Sequence, residues 1–66
     1  MKLKNLLDKL APYTKVEVTE IIDNEQANVV DLQLNPLGVL RLLSHYVTNI
    51  ECDTGTLLVT VSKRGN

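Results

Sequence analysis

The sequence contains no Phe and no Trp, and Tyr13 and Tyr46 are its only aromatic residues. Without more aromatic rings the chain lacks the usual stacking platform for single-stranded nucleic acid. Its core has to be built from Leu, Val and Ile, which pack well in low-energy rotamers. There is one cysteine, Cys52, and one histidine, His45. A lone cysteine excludes an internal disulfide, and one of each residue is a poor metal-ligand set. No metal or other cofactor is therefore expected.

Neither charge sign dominates, with seven Lys and Arg against eight Asp and Glu and a net charge of −1. Nucleic-acid binding driven by phosphate neutralisation usually shows as a basic domain or stripe, so this balance argues against it. The three glycines form no Gly-rich phosphate loop. No apolar run approaches the roughly 18 residues of a membrane span. The opening Met1-Lys2-Leu3-Lys4 is basic, but Asn5, Asp8 and Lys9 interrupt what would be the apolar core of a signal peptide. The expected location is the cytoplasm, where a free thiol is unremarkable.

What is present is aliphatic. Apolar residues make up 44% of a 66-residue chain, far from the composition of disorder. Residues 1–66 read as one domain near the lower size limit, where folding buries only about 60% of the unfolded surface. Domains this small usually add disulfides, a metal or a partner chain, and here packing or a second subunit remains.

Leu3, Leu6, Leu7 and Leu10 recur at helical spacing and predict an amphipathic helix over 2–11, stopped by Pro12. Residues 15–22 are β-branched and alternating and predict a strand. Its alternation slips at Glu20-Ile21-Ile22, the mark of a bulge or a two-faced stretch. Asp23-Asn24-Glu25-Gln26 is a polar gap of hairpin length, followed by a second strand through Val30, Leu32 and Leu34. Asn35-Pro36 is an N-cap and first-turn pair that predicts a helix over 36–45. Strands follow at 46–52 and 57–62, separated by the turn Asp53-Thr54-Gly55, and 63–66 read as a frayed tail. The order α-β-β-α-β-β predicts an α+β fold: a four-stranded, mostly antiparallel sheet with two short helices on one face.

The second helix has more apolar surface than one sheet face can cover. Leu37, Val39, Leu40, Leu42 and Leu43 spread over an arc of about 200°. Ile21-Ile22, Val29-Val30 and Leu57-Leu58-Val59 likewise point side chains to both faces of their strands. The excess predicts self-association, in its commonest form a twofold dimer. The residues assigned to that contact are Val39, Leu42 and Leu43, so Leu42→Lys is expected to dissociate the oligomer while leaving secondary structure.

The polar motifs read as structural. Asp53-Thr54-Gly55-Thr56 matches an aspartic-protease signature, but Glu51-Cys52 replaces the apolar residues before it, and Asp-Thr-Gly is ordinary turn chemistry. Cys52 and His45 offer no oxyanion site, so Cys52 reads as a half-buried thiol sharing a face with Tyr46 and Ile50. His45 reads as a complement to a helix C-terminus. Glu17, Glu20, Asp23 and Glu25 read as a solvated strand face, and Lys2, Lys4, Lys63 and Arg64 as soluble surface.

Three stretches also occur together: Met-Lys-Leu-Lys-Asn-Leu-Leu at the start, Thr14-Lys15-Val16-Glu17-Val18 after the proline break, and Tyr46-Val47-Thr48-Asn49-Ile50 leading by a hairpin to Leu57-Leu58-Val59-Thr60-Val61. In this the chain resembles small uncharacterised phage and prophage proteins of low-GC Gram-positive bacteria, over both ends but not over residues 23–45. The resemblance implies a mobile-element context and carries no catalytic residues. The expected function is that of a non-enzymatic accessory protein contacting a host or phage protein, as a homodimer. The alternative is a small nucleic-acid-binding regulator using the terminal lysines and Arg64.

Overall fold

The structure is a computed structural model and describes residues 1–64; Gly65 and Asn66, half of the expected frayed tail, lie outside it. Two hairpins build its sheet. Strand β1 (Lys15–Ile22) pairs antiparallel with β2 (Glu25–Asp31), and β3 (Tyr46–Asp53) pairs antiparallel with β4 (Thr56–Ser62). Ile22 faces Glu25 and Asp53 faces Thr56, so each loop is two residues long. Both loop residues have positive φ in each case: 53° and 65° at Asp23 and Asn24, 52° and 81° at Thr54 and Gly55. This is type I′ geometry, whose twist matches that of the strands it joins.

The hairpins meet through a parallel pairing of β1 with β4, giving the order β2-β1-β4-β3. Two pairings of three are antiparallel, and helix α1 (Leu3–Leu7) and helix α2 (Pro36–Leu40) complete the order α-β-β-α-β-β. The class and order are those the sequence predicts. A register shift after Glu20 places Ala27 of β2 as the extra residue of a bulge, where the β1 alternation slips.

The core explains the packing of the helices. Val16 and Val18 of β1 and Val59 and Val61 of β4 point to one face, because strand side chains alternate. They form one buried cluster with Leu3 and Leu6 of α1 and with Val39 and Leu42. Both helices therefore cover the same sheet face. The other face is largely polar: one row across it reads Asp31, Glu17, Leu58, Glu51. The adjacent apolar pairs in the sequence thus do not produce a second apolar face.

Three expectations of length are corrected. α1 spans five residues rather than ten, and its first amides find partners outside the helix: Leu3 N–H donates to the His45 carbonyl (2.9 Å) and Lys4 N–H to that of Leu43 (3.0 Å). β2 ends at Asp31, because the Asp31 Oδ1 accepts from the amides of Gln33 (2.9 Å) and Leu34 (3.3 Å) and turns the chain out of the sheet. α2 ends at Leu40. Beyond it Leu42 N–H reaches Val39 and His45 N–H reaches Leu42, three residues back, which tightens the chain into turns.

At the start of α2 the Asn35 side chain accepts from Gly38 N–H at 3.0 Å, the predicted cap. A Cβ on Gly38 would stand 2.5 Å from Asn35 Nδ2. The glycine is what leaves room for the cap.

Candidate functional site

The alternation that buries Val16 and Val18 continues to Glu20, so the third inward position of β1 carries a carboxylate. Glu20 is 4% exposed. Its register neighbours are Asn28 on β2 and Val61 on β4. From the helical side, Val39, Leu42 and His45 follow at three-residue spacing and all are buried. The polar end of each inward row meets the other.

Three donors surround the carboxylate. Glu20 Oε1 accepts from Arg41 Nη2 and from Asn28 Nδ2, each at 2.9 Å, and Oε2 lies 3.0 Å from His45 Nε2. The Arg41 guanidinium is the main reason that the Glu20 pKa falls from 4.5 to about 2; burial opposes the fall, and Asn28 and His45 assist it. An ionised carboxylate only accepts, which puts a proton on His45 Nε2. His45 Nδ1 is buried and has no hydrogen-bond partner among the described residues.

A cleft of about 600 Å³ opens on this cluster, lined by Glu20, Asp23, Arg41, Ser44, His45, Ser62, Lys63 and Arg64, with Ile21 and Ile22 at the β1 end. Arg41 spans buried and open space, since its side chain is 54% exposed while its anchor Glu20 is 5% exposed. Lys2 lies at the same end of the sheet. It bridges to Tyr46, which faces Ser62 across β3 and β4, and its Nζ stands 5.7 Å from the Tyr46 ring centre.

The residues assigned to self-association are placed otherwise. Val39 and Leu42 are 2% and 0% exposed and belong to the core, and Leu43 packs against it partly buried. They turn inward because α2 and the turns after it lie on the sheet face that carries Val16, Val18, Val59 and Val61. Around α2 the exposed apolar side chains are instead Leu34, Leu37 and Leu40, at 85%, 76% and 59%, the three most exposed large aliphatic residues among those described.

Cys52 is exposed rather than half-buried. Tyr46 does not share its face, because a bulge between Val47 and Asn49 reverses the alternation. At about 3.3 Å per strand residue, Cys52 and His45 stand about 20 Å apart, and the structure does not bring them together. Asp53-Thr54-Gly55-Thr56 is a hairpin turn in which Thr54 Oγ1 donates to Asp53 Oδ1 at 2.9 Å. Of the four acids read as a solvated face, Glu17, Asp23 and Glu25 are partly or fully exposed and Glu20 is the correction.

Sequence reasoning missed the Glu20 cluster, although two signals were present. Glu20 is in phase with Val16 and Val18, and His45 is in phase with Val39 and Leu42. Nothing local marks Asn28 or Arg41, which reach Glu20 across 8 and 21 residues of chain.

The fold and site define a small α+β domain with a buried ion-pair cluster under a basic cleft. No protein family, curated protein or solved structure matches the chain.

Proposed function

We propose that this chain is a binding protein rather than an enzyme, and that it acts through protein–protein contact as a homodimer. The observation that carries the reading is the exposed stripe Leu34, Leu37 and Leu40. A residue just before an N-cap often folds back onto the fourth helical position. Leu34 does not cover Val39 in this way, being 85% exposed. Full burial of a Leu side chain is worth about 1.5–3 kcal/mol, so three such residues supply a strong reason for a partner surface. A twofold axis beside α2 would set the stripe of one copy on that of the other.

Sedimentation across the micromolar range tests the reading. The wild-type chain is expected as a dimer and the Leu37→Lys/Leu40→Lys variant as a monomer with an unchanged circular dichroism spectrum. A wild-type monomer at high micromolar concentration would rule out the homodimer. The resemblance to phage and prophage proteins supports a cytoplasmic accessory role on host or phage machinery, which the neighbouring genes check.

A second reading, a small nucleic-acid-binding regulator, draws on the cleft, where Lys63 and Arg64 are joined by Arg41. A mobility shift whose affinity falls linearly in log salt would favour it.

A further inference from the structure

We infer that the cleft beside Glu20 binds a phosphate group, held by Arg41, Lys63 and Arg64 with the Ser44 hydroxyl. The inference does not rest on the dimer. It starts from Arg41, whose Nη2 is fixed on a buried carboxylate at 2.9 Å while the side chain as a whole is half exposed. A guanidinium has five N–H donors in a planar fork, and among the described residues Arg41 uses only Nη2, on Glu20. Because Glu20 already orders the side chain, an anion arriving at the free edge pays little of the entropy of immobilising it. Glu20 lines the cleft but is only 4% exposed, and Arg41, Asn28 and His45 hydrogen-bond its two oxygens, so its charge is largely offset by its own donors.

The other cations come from a different part of the chain. β4 ends at Ser62, and the chain turns there with Arg64 N–H donating to Ser62 Oγ at 3.3 Å, which keeps Lys63 and Arg64 on the cleft wall. Arg41, Lys63 and Arg64 outnumber the acids of the lining, Glu20 and Asp23, and only Asp23 of these is exposed. One preorganised Arg fork and two further exposed cations match the charge and the several acceptor oxygens of a phosphate dianion more fully than those of a singly charged carboxylate. The group can come from free phosphate, a nucleotide or a nucleic-acid backbone.

Amide chemical shifts followed during titration test the inference. Inorganic phosphate is compared with sodium chloride at equal ionic strength, then with a nucleoside 5′-monophosphate and a short single-stranded oligonucleotide. Saturable shifts centred on Arg41, Ser44, Lys63 and Arg64 are expected with phosphate and not with chloride. The Lys63→Gln/Arg64→Gln variant alters only exposed side chains, and it is expected to keep its fold while losing about tenfold or more in affinity. Arg41→Lys, which keeps the charge and loses the fork, is expected to weaken binding as well. Equal affinity for phosphate and nucleotide identifies the free anion as ligand. Tighter nucleotide binding identifies a monoester, and tighter oligonucleotide binding with a steep salt dependence identifies a backbone phosphate. Shifts that match those of chloride, or that scatter over Lys4, Lys9 and Lys15, would overturn the inference, as would an unchanged affinity in the folded double variant.

Discussion

At the scale of single residues, Glu20 and Leu42 show how far a side chain's role depends on which way it points. Glu20 is ionised and enclosed, with its pKa lowered from 4.5 to about 2 chiefly by Arg41. A depressed carboxylate stabilises the fold above its unfolded pKa, and that contribution is lost as pH falls toward the folded value. The window here runs from about 4.5 down to about 2, and the contribution at neutral pH is about 3 kcal/mol. Glu20→Gln is expected to lower unfolding stability by about this amount at pH 7, with the difference closing near the bottom of the window. Urea unfolding at several pH values measures both. Leu42→Lys, expected from sequence to separate subunits, now has a different outcome. Leu42 is 0% exposed, and a lysine there buries an unpaired charge. The expected result is loss of the cooperative thermal transition, not a folded monomer.

At the scale of elements, the turns and caps follow local chemistry closely. Asp-Thr-Gly became a two-residue type I′ turn, but Thr54 is β-branched and sits at φ 52°, a conformation that costs most L-residues about 1–2 kcal/mol. Thr54→Asn restores the Asn-Gly pair that this turn prefers and is expected to stabilise the domain by about 1 kcal/mol, offset in part by loss of the Thr54–Asp53 hydrogen bond. Thermal unfolding reads the difference. Gly38→Ala works the other way, despite the better helix propensity of alanine. Its Cβ would displace the Asn35 side chain, and losing an N-cap costs about 1 kcal/mol. Element types were legible because hairpins, caps and β-branched runs are short-range signals. Helix lengths were not, because the periodic residues Leu10, Leu42 and Leu43 continue to serve the core after the helical hydrogen bonds have ended.

At the scale of the whole molecule, the parallel β1–β4 pairing makes one sheet of the two hairpins. It places β1 and β4 in the centre, and the helices then cover one face of both. That arrangement decides which leucines remain outside. The surplus of aliphatic residues was visible in the sequence, but its address was not. Leu37, Val39, Leu40, Leu42 and Leu43 are all apolar, and only docking of α2 and the turn after it on the sheet separates the buried Val39 and Leu42 from the exposed Leu37 and Leu40. The same assembly brings Arg41 and His45 to a carboxylate on β1 and sets Lys63 and Arg64 on the adjoining cleft.

The absence of Phe and Trp and the scarcity of cysteine and histidine therefore determined much by themselves. They required an aliphatic core, excluded an internal disulfide, and left turn and strand chemistry to set the order α-β-β-α-β-β. These are properties of composition and of neighbours a few residues apart. The tertiary structure alone decided that Glu20 turns inward, that Arg41 meets it from 21 residues away, and that Leu34, Leu37 and Leu40 stay uncovered. Each of these depends on a contact between distant segments, and the free energy of such contacts is settled only when the sheet has chosen its strand order and the helices have chosen their face.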